Sequence, residues 1–329
     1  MMSEQMIEEY ITIFEQLKSK LKWKVTDNRI IMTIAAMYTM SDKSFNQERF
    51  LSIAEKIKKQ AGIFSFLKSQ SRYTMASSFD MNFTDPDRPI VDLFNIYDKF
   101  ISAKFKRGIF TYIAASLMLF DQDTQDETTA VIKKAKTIYD GMRKQHPFLT
   151  SAHNYPIATL LALKSEDHEK TIIKQLDDFY FSLVKNGFKK GKDLQILSHI
   201  LSLATEESDD ALIERITHIH DGFKLNGIKP KSKYYTVMAI LAFIPLEKIE
   251  LTEVINIYER LNKQKPFRWQ KDLNFLLATS FYVSEKLADN QIIETNIFTT
   301  LEYLLQVQQA ILVASMMGAT ATSSSSSNN

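Results

Sequence analysis

The sequence contains no cysteine, and this absence excludes several kinds of chemistry. Disulfide bonds, thiol catalysis and cysteine-ligated metals are all impossible in these 329 residues. Only eight Gly and seven Pro are present, which is few for a turn-rich all-β fold. No apolar run reaches the roughly 18 residues that a membrane-spanning helix needs. We therefore expect neither a membrane span nor a membrane partner.

The two ends of the sequence give expectations about location and order. Residues 1–9 are acidic and amphipathic, whereas a secretory signal peptide has a basic start and an apolar run. Residues 319–329 are rich in Ser and are expected to be disordered. These features predict a cytoplasmic protein whose structured part covers residues 1–318.

A repeat of about forty residues runs through the chain. An apolar residue followed by a mostly aromatic position recurs at intervals of 38 to 43 residues, and the aromatic positions are Phe14, Ala54, Tyr97, Tyr139, Tyr180, His220 and Tyr258. An acidic residue follows in six of the seven copies. Later in each copy come a bulky apolar residue, often next to Gly or Pro, and a second apolar helix with a small residue near its middle. Gly and Pro at these places are helix stop and turn signals.

Each copy is interpreted as a helical hairpin, in which helix A is followed by a turn and helix B. We predict an all-α fold of about seven tandem hairpins, starting near residues 3, 44, 87, 127, 168, 209 and 249. Residues 290–318 are expected to form a C-terminal capping helix. Because one hairpin cannot bury its apolar faces alone, the hairpins should stack as a single domain. The stack is an α-solenoid or an α/α ring, and the sequence leaves both open.

The segment 148–162, FLTSAHNYPIATLLA, is similar to part of an uncharacterised bacterial family. This family is known as domain of unknown function four thousand and three, and the resemblance extends over nearly the whole chain to about Gly318. It implies a bacterial cytoplasmic protein. It implies no activity, no cofactor and no catalytic residue.

Charge is unevenly distributed along the repeat. The seven A-to-B turns hold 24 of the 41 Lys and Arg residues and no Asp or Glu, whereas the B-to-A connections hold 22 of the 39 acids. Stacking would place these segments on opposite edges, one basic and one acidic. The pattern serves solubility and stacking order, or it marks a surface for an anionic partner. The candidate binding residues on the basic edge are Lys189, Lys190, Lys192, Lys229, Lys231, Lys233 and Arg268.

The acids that follow the aromatic positions are a second candidate set. These residues, among them Asp98, Asp140, Asp221 and Glu259, either bond to backbone N–H groups of the next repeat or line a concave face. The structural role is favoured.

Familiar catalytic and metal motifs fail on inspection, so no catalytic residue, metal or cofactor is predicted. Gly187–Asp193 lacks the spacing and the hydroxyl residue of a phosphate-binding loop. Two segments lack the Gly and the final carboxylate of a calcium loop: Asp80, Asn82 and Thr84 in the first, and Asp121, Asp123 and Asp126 in the second. His146 and His153 could approach each other across a turn, but no third ligand is evident. His199 is expected in the core.

Three functions remain in competition. The first is a non-catalytic scaffold that binds a protein or peptide. The second is binding of nucleic acid or another polyanion along the basic edge. The third is an enzyme with its site inside a closed ring, using paired acids such as Asp98 and Asp140.

Overall fold

The computed structural model describes residues 2–41, 43–120, 127–165, 167–203, 208–289 and 304–305. Most of these residues are helical, and there is no strand among them. Fourteen α-helices are formed: α1 Met2–Leu21, α2 Asn28–Thr39, α3 Gln47–Gln60, α4 Ser71–Asn82, α5 Asp87–Ser102, α6 Ile109–Phe120, α7 Thr128–Gln145, α8 Tyr155–Lys164, α9 Glu169–Lys185, α10 Lys192–Leu201, α11 Asp209–Leu225, α12 Tyr235–Leu241, α13 Leu251–Lys263 and α14 Lys271–Asp289. The fourteen helices make seven A–B pairs, as the repeat predicts.

Helix starts agree with the predicted hairpin starts. The largest difference is between the predicted position 44 and Gln47, the first residue of α3. Side-chain caps fix the starts of several A and B helices. Asp27 accepts a hydrogen bond from the backbone N–H of Arg29, and Asn46 accepts one from that of Arg49. A cap of this kind satisfies a backbone donor that has no partner inside the helix.

The described chain forms two compact units. The described residues within Tyr10–Thr128 and Glu302–Asn329 form the N-terminal unit, and those within Met1–Glu9 and Thr129–Leu301 form the C-terminal unit. Glu4 therefore belongs to the C-terminal unit, where Arg260 Nη2 lies 2.9 Å from its Oε1. The predicted single domain over residues 1–318 stays a prediction. Most of the predicted capping helix and all of the predicted Ser-rich tail lie outside the described residues.

Within each unit, A helices pack on the A helix of the next hairpin, and B helices pack on the B helix of the next hairpin. In the N-terminal unit α3 packs on α5, and α2, α4 and α6 form a second row. In the C-terminal unit α9, α11 and α13 form one row, and α10, α12 and α14 form the other. These A helices and these B helices of successive hairpins thus lie side by side inside each unit.

The two rows differ in burial. Helix α5 is amphipathic, with Ile90, Leu93, Tyr97 and Phe100 buried on one face. In α4, by contrast, every residue from Ser71 to Asp80 is buried. The small residues predicted for the middle of each B helix are all at most 1% exposed: Ala36, Ala76, Ala115, Ala158, Ser198, Ala239 and Ala278. B helices therefore form the interior, and A helices present one face to solvent.

Candidate binding surface

The A-to-B edge is the surface on which the predicted basic residues lie. We define it in each unit as the last turn of each A helix, the connecting turn and the first turn of the following B helix. In the C-terminal unit four such segments follow one another, at residues 142–158, 182–195, 222–238 and 260–274. In the N-terminal unit there are three, at 18–31, 57–74 and 99–112.

Contacts in the C-terminal unit join these segments in series. Gln195 Nε2 donates to Thr150 Oγ1 at 2.8 Å, which links the first segment to the second. The backbone N–H of Lys189 donates to the Tyr235 hydroxyl at 2.8 Å, which links the second to the third. Lys233 Nζ lies 2.6 Å from Asp272 Oδ2, which links the third to the fourth. The four segments therefore lie side by side along one edge of this unit.

The N-terminal unit has an equivalent link. The hydroxyls of Ser65 and Tyr112 are 2.9 Å apart and join its second and third segments. Tyr112 also stacks on Tyr97 with ring centroids 3.8 Å apart. Burial raises the pKa of Tyr112 to about 12, so its hydroxyl stays protonated at neutral pH.

Three A helices end in the same backbone motif. The backbone N–H groups of Phe105, Phe188 and Ile228 donate to the carbonyls of Phe100, Leu183 and Phe223. The residue before each donor has a positive φ, which is 69° at Lys104, 86° at Gly187 and 78° at Gly227. This is the Schellman termination, which directs the chain away from the helix axis. Gly187 and Gly227 are two of the glycines that indicate helix stops in the sequence, whereas Gly62, a third, does not adopt a positive φ.

The predicted basic residues are exposed on this edge. Lys189 and Lys190 lie in the turn before α10, which Lys192 begins, and Lys229 and Lys231 lie in the turn before α12. None of these five forms an ion pair with another described residue. Lys233 is paired with Asp272 instead. The Arg268 guanidinium lies 5.1 Å from the ring centre of the exposed Trp269.

Three acids on the A-to-B edges lie just outside the turns that hold 24 of the Lys and Arg residues. Asp193 and Asp272 stand in the first turns of α10 and α14, and Asp27 caps α2. Acids at helix N-termini interact favourably with the helix dipole. The A-to-B edges are therefore basic in their turns and carry acids where three of the seven B helices begin, namely α2, α10 and α14.

Large exposed apolar residues concentrate on the A-to-B edge of each unit. Among the described residues, eight large apolar side chains are exposed, and six of them lie on these two edges, three in each unit. These six are 78–98% exposed: Trp23, Ile63, Phe64, Phe148, Leu225 and Trp269. The other two, Val91 and Phe181, lie on A helices and are less than half exposed. The sequence interpretation missed this pattern.

Three of the exposed apolar residues occupy one position of the repeat that is buried in other copies. The bulky apolar residue after each A helix is buried at Phe105, Phe188 and Phe267 but exposed at Trp23, Ile63 and Phe148. In the exposed copies another turn residue takes the interior place, as Val25 does two positions after Trp23. These positions are equivalent in sequence spacing, but the backbone of the turn buries the side chain in some copies and exposes it in others.

A buried polar network supports the turn at residues 146–154. Thr150 Oγ1 donates to the carbonyl of Met142, and Asn154 Nδ2 lies 3.5 Å from Nδ1 of the buried His199. Burial, and secondly the nearby His146, lowers the pKa of His199 to about 3. His199 is thus a neutral core residue, as predicted. Thr150 and Asn154 of this network belong to the segment 148–162, which is the segment that resembles the uncharacterised family.

Comparison with known proteins decides the family. The model of the family "Protein of unknown function (DUF4003)" matches residues 13–310. The chain belongs to this family. It is also 33% identical over 321 residues to "Uncharacterized protein YeaA" of Bacillus subtilis (strain 168), and the match covers 97% of this chain and 96% of the relative. No solved structure matches the chain.

Family membership assigns no active site, and the structure assigns no metal site among the residues it describes. No group of three or more His, Asp or Glu side chains is placed there to hold a metal ion. His146 Nε2 lies 3.1 Å from Asp177 Oδ1, whereas His153 Nδ1 lies 2.8 Å from Ser151 Oγ, so the two histidines have different partners. The acids at 121–126 lie outside the described residues.

The acids after the aromatic positions are exposed in this family member. Asp98, Asp140, Asp221 and Glu259 all face solvent on A helices. Asp140 accepts hydrogen bonds from Lys136 one turn earlier, and Asp221 lies 3.1 Å from His220. Their exposure does not fit the favoured role of binding backbone N–H groups in the next repeat.

The aromatic positions that precede these acids are buried at Phe14, Tyr97, Tyr139 and Tyr180, as expected of a core seam.

Proposed function

We propose that this protein is a non-catalytic binding scaffold whose A-to-B edge holds an anionic partner that also offers apolar groups. The observation that carries the proposal is the concentration of exposed large apolar residues beside unpaired lysines on this edge. Large apolar side chains that are almost fully exposed tend to mark interaction sites when they recur together. The predicted solenoid or ring of hairpins is part of the proposal, and the stacking inside each unit supports it.

The exposed lysines of the edge indicate that the partner is negatively charged. Lys189, Lys190, Lys229 and Lys231 are exposed and form no ion pair with described residues, so their charge is available to a ligand. Lysines in such a position attract anions and accelerate association at low salt. The surface therefore suits an anionic partner better than a neutral protein or peptide. A protein partner, the first of the three sequence-based functions, fits if it is acidic.

The enzyme alternative gains no support from the described residues. It depended on paired acids such as Asp98 and Asp140. Asp140 already accepts hydrogen bonds from Lys136, and both carboxylates are exposed to solvent. Catalytic carboxylates more often lie where burial or like charge perturbs their pKa.

The proposal is tested by reversing charge on the edge. The variant Lys189→Glu, Lys190→Glu, Lys229→Glu, Lys231→Glu removes unpaired positive charge from the C-terminal unit. The control variant Lys133→Glu, Lys164→Glu, Lys170→Glu, Lys248→Glu makes the same change in net charge at exposed positions outside these turns. Binding would be measured to three probes: phosphatidylglycerol vesicles, single-stranded DNA and a peptide rich in Glu and Leu.

We expect the unsubstituted protein and the control variant to bind at least one probe, and the edge variant to lose that binding. Affinity should fall with salt, because the attraction is electrostatic. If the unsubstituted protein binds none of the probes, or if both variants behave alike, the proposal is wrong.

A further inference from the structure

We infer that the anionic partner of the A-to-B edge is the surface of an anionic phospholipid bilayer, into which the exposed apolar turn residues insert. This inference rests on the proposed function and names its partner. Peripheral attachment of this kind requires no spanning helix, and none of the described helices is long and apolar enough to cross a membrane. It departs from the sequence-based expectation that no membrane partner exists.

The apolar residues of the C-terminal unit have basic neighbours in the chain. Trp269 follows Arg268, Leu225 follows Lys224, and Phe148 comes after the basic last turn of α7. Each of the three side chains is at least 78% exposed. A residue that inserts between lipid headgroups beside a cation that binds their phosphates is the usual arrangement of interfacial attachment.

The kinds of apolar residue favour lipid over nucleic acid. Bases stack on aromatic rings, so Trp23, Phe148 and Trp269 alone would also suit a single strand. Ile63 and Leu225 offer no ring, yet they are 85% and 87% exposed, each on the A-to-B edge of its own unit. Hydrocarbon accepts aliphatic and aromatic side chains alike, and Trp prefers the boundary between hydrocarbon and water.

The degree of exposure favours lipid over a peptide. Residues that line a peptide groove are partly covered by the walls of that groove, whereas these side chains are almost entirely open to solvent. They are also distributed over five turns instead of forming one continuous apolar strip. A fluid bilayer can receive separate insertions without a matching surface, which a folded protein or peptide would need to provide.

The N-terminal unit repeats the pattern independently. Trp23 stands between Lys22 and Lys24, and the Lys22 ammonium is 5.6 Å from its ring centre. Ile63 and Phe64 follow the basic last turn of α3. The same composition at the same place in a second unit argues against a chance exposure of one turn.

The two tryptophans provide the readout, because the chain contains only Trp23 and Trp269 and each lies on the A-to-B edge of its own unit. Tryptophan emission shifts to shorter wavelength when the indole leaves water. We expect this shift, together with co-sedimentation, on adding phosphatidylglycerol vesicles and not on adding phosphatidylcholine vesicles. The single variants Trp23→Phe and Trp269→Phe report on each unit separately.

Substitutions distinguish insertion from charge attraction alone. Phe148→Ser and Leu225→Ser together should weaken vesicle binding at least tenfold, whereas the control Phe181→Ser, an exposed apolar residue on an A helix, should change it little. Each lysine reversed on an A-to-B edge should weaken vesicle binding by more than about fivefold, which is the effect of losing one positive charge alone. Circular dichroism of the exposed-site variants should match the unsubstituted protein, which shows that a loss of binding is not a loss of folding.

Three results would overturn the inference. Binding to DNA or to the acidic peptide that depends on the edge lysines, without binding to phosphatidylglycerol vesicles, would keep the proposed function and reject the lipid partner. Co-sedimentation without a shift in tryptophan emission would show adsorption by charge and reject insertion. Binding to none of the probes would reject both proposals.

Discussion

The Tyr38 hydroxyl donates a hydrogen bond of 2.7 Å to Asp80 Oδ2, and the two residues lie near the C-terminal ends of successive B helices, 42 residues apart. The Asp80 side chain is only 2% exposed, and Arg49 Nε lies 2.5 Å from its Oδ1. Burial, with the negative charge of Asp80, raises the pKa of Tyr38, so the phenol remains a donor. Asp80 thus ties α2, α3 and α4 together in the N-terminal unit.

Replacing Asp80 by Ala should lower the free energy of unfolding by about 3 kcal/mol, because the buried hydroxyl of Tyr38 and the guanidinium of Arg49 would lose their shared partner. Urea denaturation followed by circular dichroism would measure the change. Asp87→Asn is the control, since Asp87 pairs with Lys56 where both side chains are about half exposed, and its effect should be small. Equal effects of the two variants would contradict this account.

The three Schellman turns give a second prediction about stability. Lys104 adopts φ 69° where the equivalent turns have glycine. A side chain in the left-handed region costs about 1 kcal/mol, so Lys104→Gly should stabilise the protein by roughly that amount. Gly187→Ala and Gly227→Ala should destabilise it to a similar extent. Thermal unfolding would detect both changes.

Gly108 supplies the control for that series. It lies in the turn before α6 without a positive φ, and a Cβ placed there would meet nothing within 4 Å. Gly108→Ala should therefore be tolerated. A loss of stability in Gly108→Ala as large as that in Gly187→Ala would show that backbone conformation is not the cause.

Two helical glycines in the C-terminal unit form a matched pair. A Cβ at Gly141 would come within 2.7 Å of Ile173 Cγ1 and 3.1 Å of its Cγ2, close to the branch point of that side chain. At Gly222 a Cβ would meet only the end of the Leu251 side chain, whose Cγ is 3.8 Å away. Alanine gains about 1 kcal/mol of helix propensity over glycine. Gly141→Ala should still destabilise by about 1–2 kcal/mol through overpacking, while Gly222→Ala should be nearly neutral.

The double variant Gly141→Ala, Ile173→Ala tests the cause of that difference. If the clash with Ile173 is responsible, the two substitutions should cost less together than the sum of their separate effects. Purely additive effects would indicate that Gly141 is needed for another reason.

The repeat and the core could be predicted because both follow from apolar periodicity. The spacing from Phe14 to Tyr258 sets the hairpin length, and a small residue such as Ala76 marks the middle of a B helix. These features depend on residues close together in the sequence. Stacking then follows, because each hairpin leaves an apolar face that its neighbour must cover.

Side-chain direction in the turns could not be predicted in the same way. Trp23 and Val25 are both apolar and only two residues apart, and the backbone of the turn determines which of them enters the core. Asp80 was similarly counted with the acids of a B-to-A connection, but it is buried in α4 because Tyr38 and Arg49, distant in sequence, bind it. Tertiary partners decide such positions, and a single sequence does not reveal them.

Acidic solution should destabilise the C-terminal unit through His199. Its pKa is near 3 in the folded protein and 6.5 in the unfolded chain, so the folded state favours the neutral ring. The resulting stabilisation is fully present above pH 6.5 and is lost as the pH falls toward 3, at about 1.4 kcal/mol per pH unit. Urea denaturation between pH 7 and about pH 4 should show this slope in addition to that of the carboxylates. His199→Gln, which cannot titrate, should be less stable at pH 7 and should lose less stability on acidification. Equal pH slopes for the two proteins would show that His199 is not the group responsible.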